Sequence, residues 1–220
     1  FECQEAIELL GDAGADVSDP NRVKIPSHMV EQALRTAPKM ISLYTREGEP
    51  AIVLNGQTGS HFGGFSGYSN ILDPYTGKQR KCFVEDIADT ARLVDALPNI
   101  EWYQTSAANR TVPGTIADKV ELLHSVINTS KPVFSNVSDV SSLKEMIDLC
   151  STVAGGEEQL RKEPFFGEAS EPVSPLVYGK DAMEKALLCA EKGIPHVVHP
   201  IGMAGVSTPA TFAGCVAIAN

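Results

Sequence analysis

Four extended apolar segments begin near Glu101, Pro132, Pro164 and Pro195, at intervals of 31, 32 and 31 residues, and helical patterns fill the gaps. Strands alternating with helices at this spacing make βα units, because parallel neighbours need a crossover of about a dozen residues or more. No G-x-G-x-x-G turn follows the first of these strands, which disfavours a doubly wound nucleotide-binding sheet. The sequence therefore predicts an α/β fold. Residues 84–220 read as about half of a TIM-type β/α barrel, and residues 1–83 as a small N-terminal α/β cap of helices and a hairpin.

The elements follow in order. Residues 2–11 and 27–37 read as helices; Asp19-Pro20-Asn21 breaks the chain between them and Pro38 ends the second. Residues 51–55 and 61–72 look extended, and Asp73-Pro74-Tyr75-Thr76-Gly77 is a turn, with Gly able to take positive φ. A helix over 84–97 puts Ile87, Ala91, Val94 and Leu97 on one face and leads into the first repeating strand, 101–105. Later helices present Ile116, Val120, Leu123 and Ile127; Leu143, Met146, Ile147, Cys150 and Val153; and Met183, Leu187 and Leu188 at the 3.6-residue period. They alternate with strands expected near 132–136, 164–168 and 195–199. Ser142 with Glu145 has the spacing of a capping box, Ser207-Thr208-Pro209 that of a last helix start, and Gly155-Gly156 and Gly193 follow helix ends.

Composition narrows the functional classes. Hydrophobic residues are 43% and charged residues 21%, as in ordinary globular proteins, and no apolar run approaches the roughly 20 residues that span a bilayer. With no signal peptide visible, a cytoplasmic protein is expected. The formal charge of −10 argues against a nucleic-acid partner. Cys3, Cys82, Cys150, Cys189 and Cys215 form no C-x-x-C pair, so they read as reduced thiols rather than a zinc motif or disulfide framework. The chain starts at Phe1 and stops inside an apolar run after Phe212, which reads as truncation at both ends.

Several blocks, in order, carry a family resemblance: Val23-Lys24-Ile25-Pro26; Glu31-Gln32-Ala33-Leu34; the Asp73–Gly77 turn; the stretch from Asp86 through Asp95-Ala96-Leu97-Pro98-Asn99-Ile100; Asn128-Thr129-Ser130-Lys131-Pro132; Val153-Ala154-Gly155-Gly156; Ser174-Pro175-Leu176; and Gly202-Met203-Ala204-Gly205-Val206 through Gly214. Each block is weak alone; together the chain resembles the trimethylamine methyltransferase family along nearly its whole length. The resemblance implies a barrel roughly twice this length that takes a methyl group from a methylated amine. A quaternary amine such as glycine betaine is favoured, with trimethylamine the other choice. The methyl passes to the cobalt of a corrinoid (cobalamin) carried by a separate partner protein. Some members carry pyrrolysine, at a position that would lie beyond Asn220. A homo-oligomer is also expected, without membrane or nucleic-acid partners.

In such a barrel, functional side chains gather at the carboxyl ends of the strands. Those ends hold Tyr103, Gln104 and Thr105; Ser135 and Asn136; Glu168 and Ser170; and His199. Tyr103 and Glu168 suit the methylated cation through ring and carboxylate attraction. Gln104 and Asn136 suit a substrate carboxylate, and His199 completes the rim. Each has a plain alternative: Tyr103 facing the helices, Glu168 capping a turn, the amides bonding local backbone. Phe62 and Tyr68, in the Gly- and aromatic-rich stretch from His61 to Ser69, read either as a closing lid or as a strand bent at its glycines. Residues 202–208 read as an anion cradle or as a plain turn. His196 and His199 are three apart, too out of phase on a strand for a shared metal, and no catalytic residue is assigned. Two other classes stay open: a Schiff-base aldolase, although Lys131 lies at a strand start, and a non-catalytic amine-binding or scaffold protein.

Overall fold

A computed structural model describes residues 2–19, 21–57, 59–64, 70–104, 109–172, 176–199 and 202–219. The first elements are α1 (Gln4–Asp12), α2 (Ser27–Thr36), β1 (Ile41–Tyr44), β2 (Pro50–Leu54), β3 (Asn70–Leu72), β4 (Gln79–Lys81) and α3 (Val84–Ala96). They are followed by β5 (Tyr103–Gln104), α4 (Gly114–Asn128), β6 (Val133–Ser135), α5 (Val140–Ala154), α6 (Glu157–Lys162), β7 (Phe166–Ser170), α7 (Lys180–Lys192), β8 (His196–Val198) and α8 (Phe212–Ala219). Contacts group these into two compact units: residues 1–39 with 170–191 and 196–220, and residues 40–169 with 192–195. Within the larger unit, the β1–β2 hairpin packs on the parallel sheet.

The larger unit is a mixed α/β structure. Strands β5, β6 and β7 are parallel and in register, Tyr103 opposite Val133 and Val133 opposite Phe166, and Gln104 opposite Phe134 and Phe134 opposite Gly167. Helix α4 packs against both α3 and α5, and α6 packs against α5. Pro195, at the head of the fourth extended segment, accepts from the Glu168 N–H at 3.0 Å. The sheet begins at the expected places, but β7 runs on to Ser170, two residues past the expected end. That shift moves Glu168 from a strand end to mid-strand.

The two faces of the sheet differ. On one, Tyr103 is buried and its hydroxyl donates to the Ile87 carbonyl (3.2 Å) and meets the Thr90 hydroxyl (2.8 Å), so this face looks to helix α3. On the other, Phe134 packs with Leu43 and Ile52 of the hairpin, joined by Ala51 and Trp102. The hairpin tip is fastened at the amino ends of the strands: Tyr44 N–H donates to Pro164 O (2.9 Å) and Arg46 N–H to Ser130 O (2.7 Å). Residues 61–64 run beside β5; Gly63 bridges Trp102 in parallel and Gly64 N–H donates to Trp102 O. Glycine is needed at 64, where a Cβ would come within 2.8 Å of Gln104 O.

The helices depart from expectation in three places. Asp139, not Ser142, caps α5 by accepting from Ser142 N–H at 2.8 Å, while Glu145 pairs with Lys119 instead. Helix α8 starts at Phe212 behind Thr211, whose hydroxyl accepts from Gly214 N–H, so Ser207-Thr208 lie in the preceding turn. The buried side of α4 is Asp118, Leu122, Ser125 and Val126; Ile116, Leu123 and Ile127 are on the open side, because the helix is wedged between α3 and α5. Gly155 (φ +88°) and Gly193 (φ +70°) follow helix ends as expected.

In the smaller unit, Asp16 and Lys24 bridge the stretch between α1 and α2, joined through backbone and by an ion pair at 2.9 Å, and Glu2 N–H donates to Tyr178 O. His199 N–H, just past β8, donates to Ser170 O at 3.1 Å. No described helix is long and apolar enough to cross a membrane.

Candidate functional site

Alternation along each strand decides which side chains can meet. Gln104 and Asn136 share the face away from the helices. Gln104 Nε2 donates to Asn136 Oδ1, and Asn136 Nδ2 donates to Ala169 O at 3.2 Å. The two amides thus form a rung across the carboxyl ends of β5, β6 and β7. Gln104 is buried and Asn136 exposed, so the rung opens outward at Asn136.

Tyr103, Glu168 and Phe62 do not join it. Tyr103 faces α3, as its two hydroxyl contacts show, since it precedes Gln104 by one position. Glu168 is fully buried and aligned with Ser135, one position out of phase with Gly167, which lies against the Phe134 ring. It therefore shares the Tyr103 side rather than the amide side. Phe62 is exposed, and its backbone exchanges bonds with Glu101 (Glu101 N–H to Phe62 O, 2.7 Å). That places it level with Glu101, three residues and about 10 Å below Gln104 along the strand. Residues 61–64 run beside β5 as sheet neighbours, and Tyr68 and Thr105 lie outside the described residues. His199 belongs to the smaller unit, half-exposed, with Nδ1 3.9 Å from Glu171 Oε1.

Helix α4 holds the loops that leave the strand ends. Glu121 Oε1 accepts from Asn109 N–H (2.7 Å) in the stretch after β5, and Asp118 Oδ2 accepts from Ser138 N–H (3.1 Å) after β6. Asn109 Oδ1 in turn caps Thr111 N–H at 2.8 Å. Burial raises the Glu121 pKa above the ordinary carboxylate value, with Asp118 adding to the rise and Arg110 and the Asn109 bond opposing it. The signal for this pair is the i, i+3 spacing of Asp118 and Glu121, which puts two acids on one face of the helix.

The opposite, amino end is closed by different chemistry. Lys131 Nζ donates to the carbonyls of Val94, Leu97 and Ile100, each at 2.6 Å, finishing α3. Burial lowers its pKa, against the pull of Asp95 and Glu101. A lysine occupied this way, at the amino end, is no Schiff-base residue for the carboxyl rim. Asp95 accepts from Thr129 Oγ1 and Ser130 N–H (2.9 and 2.7 Å). Burial pushes its pKa up, but these bonds outweigh it and the net shift is downward. Cys150 is buried in apolar surroundings that push its thiol up, and Cys82 is pushed up to about 11 by burial, so neither is an activated nucleophile. Among the described residues no cluster of His, Cys, Asp and Glu could hold a metal ion.

Comparison with known proteins agrees with the order of motifs along the chain. The family model described as trimethylamine methyltransferase (MTTB) matches residues 1–220. A trimethylamine methyltransferase of Desulfitobacterium hafniense is 34% identical across all of this chain and 44% of its own length. One of Methanosarcina barkeri is 30% identical across 97% of this chain and 48% of its own length. A glycine betaine methyltransferase of another D. hafniense strain is 23% identical across all of this chain and 46% of its own length. The chain thus spans about half the length of the curated relatives it matches. With the match running from first residue to last, the chain belongs to the trimethylamine methyltransferase family.

Proposed function

We propose that this chain is the first half of a β/α barrel enzyme that takes a methyl group from a methylated amine and passes it to a corrinoid on a partner protein. The observation that carries the reading is the family match over residues 1–220. The parallel β5–β6–β7 sheet with a polar rung at its carboxyl ends supports it, since that is the end where barrels bind substrate.

A quaternary amine is favoured over trimethylamine, because its nitrogen carries a fixed positive charge and leaves as a neutral amine at every pH, whereas trimethylamine must first be protonated. The corrinoid supplies the cobalt that accepts the methyl group. The amides of Gln104 and Asn136 suit the substrate side of the transfer. Their work is to bind and orient: a carbon held in line for attack gains more from placement than from acid–base help. A cytoplasmic homo-oligomer fits the same reading.

The test is incubation of the intact protein and reduced free cobalamin with glycine betaine, carnitine and trimethylamine in turn. Release of the amine short of one methyl is expected from one of them. Its absence from all, with the protein folded, would reject the reading.

A further inference from the structure

We propose that the outward face of helix α4 is where a second copy of this chain packs, its own α4 lying antiparallel on the first about a two-fold axis. The inference goes beyond the methyl-transfer reading and does not depend on it.

Helix α4 is apolar on two sides. Leu122 and Val126 are buried toward the sheet. Ile116, Val120, Leu123 and Ile127 make a second stripe at the 3.6-residue period, nearly opposite the first. That second stripe lies open: Ile116 and Leu123 are each 41% exposed and Ile127 is 56% exposed. It continues onto α5, where Met146, Leu149 and Glu145 join Lys119, Val120 and Leu123 in lining a groove of about 240 Å³. Val153, one turn beyond Leu149, is 41% exposed as well. A surface helix carries polar residues on its outer side, and a helix that is apolar on both sides belongs between two covering layers.

The position of the stripe chooses among occupants. Both flanks of α4 are already taken, by α3 and by α5, and further βα units add helices beside such a layer rather than above it. A protein that joins the chemistry has to approach the Gln104–Asn136 rung, which lies on the face away from these helices. A second copy meets neither objection, and the stripe matches itself. Its spacings of 4, 3 and 4 residues read the same in both directions. An antiparallel copy therefore sets Ile116 against Ile127 and Val120 against Leu123, the arrangement of a two-fold interface. Charge permits it too. The chain carries −10, so two copies repel over most of their surface. Beside the stripe the charges cancel, Lys119 pairing with Glu145 and, on α3, Arg92 with Asp89. An apolar centre inside a neutralised polar rim is the usual anatomy of an interface. Helices α3, α4 and α5, each about 20 Å long and about 10 Å apart, offer roughly 600 Å² of flat face, near the ~800 Å² of accessible surface that each partner of a stable complex buries.

Sedimentation velocity of the intact protein over a range of micromolar concentrations is the first test. A dimer, or a larger even-numbered assembly, is expected. Leu123→Glu puts a carboxylate into the interface twice, once from each copy. It should weaken association by roughly 100-fold or more and halve the assembly, with the helical circular dichroism unchanged. Leu34→Glu, at an exposed apolar residue of α2, should leave the assembly intact. A second measurement reads the register and does not need Leu123→Glu to fold. Val120→Cys and Leu123→Cys proteins, mixed and oxidised, should form disulfide-linked dimers several-fold faster than either protein alone. Cross-linking no faster in the mixture overturns the two-fold pairing, and an assembly of unchanged size in folded Leu123→Glu overturns the interface. A monomer at every concentration overturns the second copy altogether. Maleimide labelling of Leu123→Cys then tells what replaces it: a shielded thiol means that the chain covers its own stripe, and a reactive one that the stripe awaits a different protein.

Discussion

The two ends of the β5–β6–β7 sheet are built from different materials. At the amino end, the hairpin lays Leu43 and Ile52 on Phe134, Lys131 finishes α3 through three carbonyls, and Asp95 takes Thr129 and Ser130. At the carboxyl end, an amide rung faces outward and two carboxylates on α4 hold the departing loops by single backbone bonds. The lesson is a division of labour. Apolar burial and fully used polar groups stabilise one end, and adaptable polar groups, which contribute less to stability, stand where a ligand would arrive.

That contrast can be broken. Leu43→Ala should cost the most, about 2–5 kcal/mol, because Leu43 is almost fully buried and the rigid hairpin cannot collapse onto the cavity. Urea denaturation of the purified protein measures it, and a loss below about 1 kcal/mol would mean that the hairpin is not what seals the floor. Lys131→Met keeps the stem and removes the ammonium, leaving the ends of three carbonyls without their donor. A loss of about 1–3 kcal/mol is expected, with the catalytic turnover of the surviving folded protein near wild-type.

At the other end the order of effects reverses. Gln104→Leu should lower stability by no more than about 1 kcal/mol, because exposed Asn136 can turn to water, while the apparent Michaelis constant for the favoured amine rises several-fold. Lys144→Ala, on the exposed side of α5, is the control; equal constants for the two variants would remove Gln104 from the site. The smallest effect is a matter of pH. Glu121 has a raised pKa in the folded protein, so the folded state binds its proton more tightly than the unfolded state does. Its contribution to stability is therefore full below the ordinary value of 4.5 and declines as pH rises through the raised folded value. Glu121→Gln, whose amide oxygen still accepts from Asn109, should flatten that decline in melts across pH 4 to 7. The reverse holds for Asp73 and Asp86, whose pKa values are lowered, first by Arg80. Their support for the β3–β4 turn and the start of α3 is present above the ordinary carboxylate range and lost as pH falls through the lowered folded values.

Much of this was legible in the chain. The 31- or 32-residue interval located three parallel strands to within a residue or two, because the crossover length is a geometric requirement that residue types record directly. The Asp73–Gly77 turn appears with Asp73 accepting from Tyr75 and Thr76 N–H and with Gly77 at φ +67°, since such turns are local chemistry. Position alone placed Gln104 and Asn136 at strand ends, and they stand at the end of β5 and just past β6. Strands β1 and β4 and helix α6 were not legible, being short and without a full period.

The sequence by itself determined the alternation of strands and helices, the family and the polar ends of two strands, because each is written in local periodicity or in the order of motifs. Only the tertiary structure decided which way side chains point. Parity along a strand is fixed once its ends are known, and an error of one residue exchanges the faces. Packing turned Tyr103 toward α3, and the two-residue displacement of β7 placed Glu168 in mid-strand. The packing of the Gly63 and Gly167 backbone against the Trp102 and Phe134 rings is another such outcome, since these partners are remote in sequence. Such contacts depend on how distant segments pack, and no local pattern of residues encodes them.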